Sequence, residues 1–495
     1  MIYRIRESFE FKGEIKLKLS KLLSGVSVKN QYEDVEIRDI VSNTNADVSG
    51  CLFVCIAGKK FDPHNCAQEL MQRGAAAILV ERDLGIKNQI IVENTRSANA
   101  LICANFFGNP SKKLKLIGVT GTNGKTSSVA MIKTILDSFG CKTGLIGTVN
   151  CVIDEEIEPS KYTTPEPYDL HRLFAKMVDA GCEYCVMEAS SQGLEQHRVD
   201  GCEFEVAIFT NLTHEHLDYH KNMENYLEAK RILFKMSKTV VVNADDLYAD
   251  EAVKGLECRV VTFSSEKDTA DYVAKNIRCR ADGVCYELIG DGTISRVRVP
   301  IPGSFTVSNS MGAVITGVEL GFGFYDCANA LANAKSVKGR LEVIPTNTDY
   351  TVIVDYAHTP DGLEKMLSSL REFTTGRLIS VFGCGGERDK EKRPVMGRIA
   401  AQIADFIVIT SDNPRNEEPI DIAHIIEGGI KESGAKTPYT IVIDRAQAIW
   451  YAMDNAKEGD VIVISGKGPD SYQHTKEGKF YYSDEESVLN YFNRK

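Results

Sequence analysis

The chain has 495 residues, 43% of them hydrophobic and 26% charged, with a formal net charge of −11. That length exceeds one ordinary core and sets two to four domains as the expectation. The charge argues against nonspecific nucleic-acid binding, so an anionic ligand needs a local site of Lys, Arg or metal ions. The longest apolar runs, such as "AAAILV" at 75–80, fall far short of a membrane span. The charged start "MIYRIRESFEFKGEIKLKL" lacks the apolar core of a signal peptide, so a cytoplasmic location is expected. Fourteen scattered cysteines fit buried, reduced thiols. Cys182 and Cys185 form a C-x-x-C inside an expected strand, where an offset of three points to opposite faces, so neither redox nor zinc chemistry is expected of them.

In chain order, three α/β blocks separate, at 1–110, 111–336 and 337–495. The first mixes short helices with strands such as "GCLFVCIAG" and "AAAILVE", and "FFGNPSKKLKL" (106–116) reads as a linker. In the second, "KLIGVTG", "KTGLIGTV", "CEYCVMEASS", "FEVAIFTNL" and "KTVVVNADD" are short apolar runs with helical stretches between some of them. Such runs predict a parallel sheet covered by helices. "DGVCYELIGDGTISRVRVPIPG" (282–303) predicts an edge hairpin around an Asp-Gly turn. The third block repeats strand-then-helix, and its strands end in Gly, Asp, Asn or Pro, where open sheets bind ligands; a doubly wound, Rossmann-like domain is expected.

The stretch "IGVTGTNGKTS" (117–127) lies between a strand and a helical pattern, where backbone N–H groups and a helix N-terminus converge on phosphate. Gly121 and Gly124 allow close approach, Lys125 would reach the β- and γ-phosphates, and the Thr126 hydroxyl would ligate Mg²⁺. A glycine-rich turn without a ligand is the plain alternative. The usual pattern has a glycine where Val119 stands.

The form T-G-T-N-G-K-T resembles the loop of the Mur ligase family, and motifs in all three blocks carry the resemblance. They are "MEASSQGLEQHRV" (187–199), "TNLTHEHLDYH" (210–220), the M-E-x-Y-x-x-A-K-x-x-L-F pattern from Met223 to Phe234, "FTVSN" (305–309), "KGRLE" (338–342) and "DYAHTPDGL" (355–363). The histidines at 214–220 also invite a zinc reading, but Tyr219 displaces the histidine that should follow Asp218. The resemblance implies a UDP-binding first domain, a central ATPase domain and a third domain that binds an amino acid. It implies ATP contacts at Gly121, Thr122, Asn123, Gly124, Lys125, Thr126, Ser127, Asn309, Arg340, Asp355 and His358. Mg²⁺ would be held by Thr126, Glu188, His216 and Lys230, the last carbamylated by CO₂. Only a neutral amine reacts with CO₂, so a pocket must lower a lysine pKa normally near about 10.4. With Lys125, the residues Glu188, His216 and Lys230 form the implied catalytic set.

Within the family, "GCGGERDKEKRPVMG" (383–397) and "SDNPRNEEP" (411–419) match the branch that adds meso-diaminopimelate. Arg388, Asp412, Asn413, Pro414, Arg415, Gly466 and Asp470 would bind it, the two arginines holding its distal carboxylate by forked hydrogen bonds. Ser42, Thr44, Thr163, Thr164, Ser190, Gln196 and Arg198 would bind the acceptor, UDP-N-acetylmuramoyl-L-alanyl-D-glutamate. The implied protein is a monomeric ligase of cell-wall precursor synthesis with small-molecule partners only. Departures from the family pattern are Pro469-Asp470 for His-Glu, "NTN" (43–45) for Asp-Ser-Arg, Tyr162 for Asn and Thr306 for Asn. A same-fold ligase adding lysine or ornithine, a folylpolyglutamate-synthase-like ligase, and a nucleotide-binding switch stay open.

Overall fold

The computed structural model describes residues 16–494, apart from 59, 155 and the side chain of Asp218. Residues 1–15, which carry most of the charged start, therefore lie outside the described residues, as does the acidic member of the zinc-like pattern. Three sheets organise the chain, and each has an apolar cluster on both faces. Strand alternation explains this. In Leu52–Val54, Leu52 and Val54 join one cluster and Phe53 joins the other.

The first sheet pairs Ile40–Val41, Leu52–Val54, Ala77–Val80 and Gln89–Ile91 in chain order, all parallel. Helix Thr95–Phe106 follows, capped by Asn94, which accepts from Arg96 N–H at 2.9 Å and Ser97 N–H at 3.1 Å. The expected linker is short and packed. Pro110–Lys113 is a single 3₁₀ turn with Pro110 and Ser111 buried, and a strand begins at Lys115. Phe107 meets the Tyr168 ring edge-on at 5.1 Å, so the first sheet's last helix docks on the central part of the chain.

The central sheet has eleven strands. Its parallel middle runs Thr143–Ile146, Tyr184–Glu188, Lys115–Thr120, Phe204–Phe209, Ser237–Asn243 and Arg259–Ser264. At the far edge, Gly283–Gly290 and Thr293–Val299 pair antiparallel around Asp291 and Gly292, whose φ values of 50° and 67° are those of a type I′ turn. The expected hairpin is there, extended to three strands by Tyr272–Arg280. The third sheet orders Glu342–Ile344, Thr351–Asp355, Val461–Ser465, Leu378–Phe382, Phe406–Ile409 and Tyr439–Ile441, parallel except for the first pair. Val461–Ser465 returns between earlier strands, which creates a switch point at their carboxyl ends.

One expectation fails. Cys182 precedes strand Tyr184–Glu188 rather than lying in it, so alternation does not separate it from Cys185, and both enter the same cluster. Both are free thiols whose pKa burial pushes up. Among the described residues no helix is long and apolar enough to cross a membrane.

His171, on helix Pro167–Asp179, is fully buried, and neither ring nitrogen has a hydrogen-bond partner. Desolvation lowers its pKa from 6.5 to about 4. The unfolded chain therefore binds the extra proton first, and stability that is full above pH 6.5 is lost as pH falls toward 4. Thermal unfolding across that window should show about 3 kcal/mol of pH-dependent loss that His171→Leu removes; identical pH profiles for the two proteins would refute this.

Candidate functional site

The site begins where strand Lys115–Thr120 gives way to helix Lys125–Ser138. Gly124 caps the helix at φ 86°, a conformation that glycine adopts without strain, and a Cβ there would lie 2.4 Å from Asn309 Oδ1. Asn309 is buried on helix Phe305–Glu319, so this asparagine packs directly against the loop. The loop is tied to the next strand end: Thr122 N–H donates to Asn211 O at 2.9 Å, and Asn123 N–H to Asn211 Oδ1 at 2.9 Å. Lys125 Nζ donates to Gly121 O at 2.7 Å and Thr122 O at 2.8 Å. Desolvation, with the nearby Arg340 charge, pulls its pKa below the usual lysine range, against Glu188 and Glu215. Thr126 and Ser127 open the helix half-buried beside it.

A second cluster forms on the neighbouring strand. Glu188 ends strand Tyr184–Glu188, buried, and accepts from Thr148 N–H at 2.7 Å and Thr148 Oγ1 at 2.9 Å. Thr163 meets Thr148 Oγ1 at 3.1 Å, while Thr164 Oγ1 donates to Glu188 O at 3.0 Å and meets Ser190 Oγ at 3.1 Å. Arg198 donates to Thr164 O at 2.7 Å and Gln196 Oε1 at 2.8 Å, and pairs with Glu166 at 2.8 Å. Its guanidinium lies 5.0 Å from the Tyr162 ring centre, and its buried Nε has no partner. Five of the seven expected acceptor-binding residues thus gather around Glu188. Ser42 and Thr44 lie apart on an exposed loop of the first sheet, where Thr44 O accepts from Arg73 at 2.6 Å.

Lys230 is 1% exposed on helix Met223–Lys235. Tyr226, one turn earlier, presents its ring 4.4 Å from Lys230 Nζ. Among the described residues Nζ has no hydrogen bond or ion pair. Desolvation, reinforced by the Lys125 charge, holds its pKa well below the ordinary lysine range. Tyr226 OH reaches Thr122 Oγ1 at 3.2 Å, linking this platform to the glycine-rich loop. His216, at φ 58°, stands half-exposed with its ring edge-on to Tyr226 at 6.2 Å. The nearby His220 is buried between Ser191 Oγ at 2.9 Å and Glu195 at 3.2 Å.

The third sheet brings its strand ends to one crevice. Asp355 is buried, accepting from Leu341 N–H and Ala357 N–H at 2.8 Å each, and burial raises its pKa. Leu341 holds φ 40°, a strained left-handed turn for leucine, directly after Arg340, whose guanidinium stacks on Tyr356 at 4.6 Å. His358 Nδ1 bonds Tyr356 O at 2.8 Å. Asp412 and Asn413 are buried, and Gly466 has φ 114° with Asp412 Oδ2 2.6 Å from where its Cβ would stand. Arg415, just after the buried Pro414, donates to Gly386 O at 2.5 Å, and Arg388 flanks the same loop with its Cγ 3.7 Å from the Cβ position of Gly385. Asp470 N–H donates to Lys467 O at 2.9 Å, and burial raises its carboxyl pKa. Thr306, in place of the family's asparagine, spends its hydroxyl on Pro302 O at 2.9 Å.

Comparison with known proteins places this geometry. A family model described as the Mur ligase middle domain matches residues 119–317, and the Mur ligase glutamate ligase domain matches 339–468. The chain is 44% identical to the UDP-N-acetylmuramoyl-L-alanyl-D-glutamate--2,6-diaminopimelate ligase 1 of Clostridium acetobutylicum, over 95% of this chain and 98% of that one. It belongs to the Mur ligase family. The like-named ligase of Clostridium perfringens is 42% identical over the same shares of both chains. A solved UDP-N-acetylmuramoyl-L-alanyl-D-glutamate--2,6-diaminopimelate ligase superposes with a TM-score of 0.73 at 29% identity, covering 97% of this chain and 99% of that one. As a Mur ligase, the protein is an ATP-dependent enzyme that forms amide bonds.

Several residues of this Mur ligase's site escaped the sequence reading. Tyr226 stood in the quoted helix motif four residues before Lys230, a signal available but unused. Thr148 carries no motif. Arg393, fully buried, clasps Glu417 through two bonds of 2.9 Å and donates to Gly385 O at 3.1 Å, bracing both loops that carry Arg388 and Arg415. That clasp pulls the Glu417 pKa down to about 2. Lys467, 0% exposed, donates to Asn413 Oδ1 at 3.1 Å. Arg445 pairs with Asp484 at 2.7 Å and donates to Ser465 O at 2.9 Å, fixing the strand end before Gly466. Gly124→Ala would strain the left-handed cap and push Asn309. ATP binding by calorimetry should weaken by about tenfold or more at unchanged circular dichroism; unaltered affinity would remove the loop's tight geometry from nucleotide binding.

Proposed function

We propose that this Mur ligase joins meso-2,6-diaminopimelate to UDP-N-acetylmuramoyl-L-alanyl-D-glutamate at the expense of ATP, as a monomer in the cytoplasm. The names of its relatives support that reaction. Within the site, the supporting observation is the buried Lys230 amine on the Tyr226 face, beside the phosphate loop.

Gly121–Ser127 would cradle the triphosphate, with Asn309, Arg340, Asp355 and His358 around the nucleotide. An oxygen of the acceptor's glutamyl carboxylate attacks the γ-phosphorus, and the bond to ADP breaks with its electron pair leaving on ADP. Lys125 stabilises the charge spread over the transferring oxygens. The acyl phosphate then meets the amine: its nitrogen lone pair attacks the acyl carbon, the C–N bond forms and phosphate departs. Asp470, its carboxyl held above the ordinary aspartate range, is the acceptor we assign to the proton that nitrogen loses. Thr163, Thr164, Ser190, Gln196 and Arg198 would orient the acceptor peptide, and Ser42 and Thr44 its UDP end.

Among the described residues no three His, Cys, Asp or Glu side chains gather closely enough to cage a metal. Mg²⁺ suits such a site, because it takes one or two protein ligands and completes its shell with water and phosphate. Thr126, Glu188 and His216 fit that role, together with Lys230 once its neutral nitrogen has attacked CO₂ and lost a proton to give a carbamate. Bound there, Mg²⁺ would supply positive charge between carboxylate and triphosphate.

Lys230→Ala should lose about a hundredfold or more in turnover and regain part of it with acetate or formate, which mimic the carbamate. Full activity without rescue would dismiss the carbamate. Arg415→Ala should cost about a hundredfold in kcat/KM for diaminopimelate and far less for lysine, which lacks the distal carboxylate. Equal losses in an amino-acid panel would reject Arg415 as the selector.

A further inference from the structure

Helix Pro360–Arg371 starts with Thr359 as its cap, Oγ1 accepting from Gly362 N–H at 3.2 Å, and Asp361 occupies its first turn. A carboxylate there is favoured by the helix dipole and held at one point in space. Asp361, Lys365 and Ser369 are spaced i, i+4 and i+8, so they form one stripe about 12 Å long. Two members of that stripe hydrogen-bond to the central part of the chain, and the third carries its charge toward it. Asp361 Oδ2 accepts from Asn123 Nδ2 at 3.1 Å and from Thr213 Oγ1 at 3.2 Å. Lys365 bonds Asp361 Oδ1 at 3.0 Å and carries its charge near Asp246. Ser369 Oγ accepts from Ser304 N–H at 2.6 Å.

The two donors on Asp361 are not ordinary surface groups. Asn123 lies inside the phosphate loop. Thr213 N–H donates to Thr122 Oγ1 at 2.9 Å, and that hydroxyl also meets Tyr226 OH, whose ring supports Lys230. On the other side, Lys392 Nζ donates to His358 O at 2.9 Å, which connects Asp361's neighbourhood to the helix Lys392–Ile403 that follows the Arg388 loop. One carboxylate therefore bridges a helix packed on the third sheet to the glycine-rich loop at Gly121–Ser127 and to the segment after strand Phe204–Phe209.

We infer that Asp361 is a positioning residue whose bridge to Asn123 and Thr213 couples amide formation to phosphoryl transfer. The inference rests on the ligase reading above. Without the bridge, phosphoryl transfer proceeds but the amine arrives late. Water then attacks the acyl phosphate, the bond between acyl carbon and phosphate oxygen breaks, phosphate leaves with the electron pair, and the carboxylate is regenerated with loss of a proton. ATP is thereby hydrolysed without an amide being made.

The test measures phosphate and amide product in the same reaction with ATP, Mg²⁺, the UDP-linked dipeptide and diaminopimelate. The wild type should release about one phosphate per amide, and Asp361→Ala about two or more, as expected when an acyl phosphate is exposed to water. Asp361→Asn keeps an acceptor oxygen and should fall back toward the wild-type ratio, a rescue that a merely structural role would not give. Thr213→Val removes one donor from the other side and should raise the ratio in the same direction, which keeps the test open should Asp361→Ala fail to fold. A ratio of one in both Asp361→Ala and Thr213→Val, whatever their rates, overturns the inference. A wild type that makes no amide at all instead overturns the ligase reading, and this inference with it.

Discussion

A primary amine buried with no ion pair among the described residues is the constraint around which the central site is arranged. A charged ammonium in such surroundings forfeits its hydration and gains little in return. The Tyr226 ring is too weak a partner to compensate, and the Lys125 charge adds repulsion against the attraction of Glu215 and Asp246. Burial therefore shifts the group toward its neutral form, which is the nucleophilic form. The same desolvation acts on Lys125, yet there two carbonyl oxygens of the loop accept its protons, so it keeps a donor role. The two lysines thus differ in their hydrogen-bond surroundings: Lys125 donates to two loop carbonyls, while Lys230 has no such acceptor among the described residues.

Parallel sheets make that arrangement cheap to build. Strands Lys115–Thr120, Tyr184–Glu188 and Phe204–Phe209 lie side by side, so the loops that leave their carboxyl ends meet without long excursions. The third sheet repeats the device at its switch point, where Asp355, Asp412 and Gly466 converge. Two charge pairs at that sheet, half-buried Arg393–Glu417 and fully buried Arg445–Asp484, fix its loops. Helix Pro360–Arg371 then lays a polar stripe on the central part of the chain, through Asp361 on Asn123 and Thr213 and Ser369 on Ser304.

The sequence carried the fold class, the strand–loop–helix around Gly121–Ser127, the Asp-Gly hairpin and the third sheet's strand–helix alternation, because each is a local pattern. It carried Lys230 only through a family motif; nothing in the helix itself distinguishes that lysine from a solvated one. What it could not carry were partners distant in the chain: Thr148 for Glu188, Glu417 for Arg393, Asp361 for Asn123. The spacing argument about Cys182 and Cys185 failed because it assumed a strand two residues longer than the one that forms. His171 was invisible for a related reason, since a histidine in an amphipathic helix gives no sign that its face is sealed.

The most direct measurement is carbon NMR of the protein equilibrated with ¹³C-labelled bicarbonate near neutral to mildly alkaline pH. A buried Lys230 amine held toward its neutral form predicts one carbamate resonance per chain, absent from Lys230→Ala. No such resonance, or the same resonance in the variant, would contradict the account.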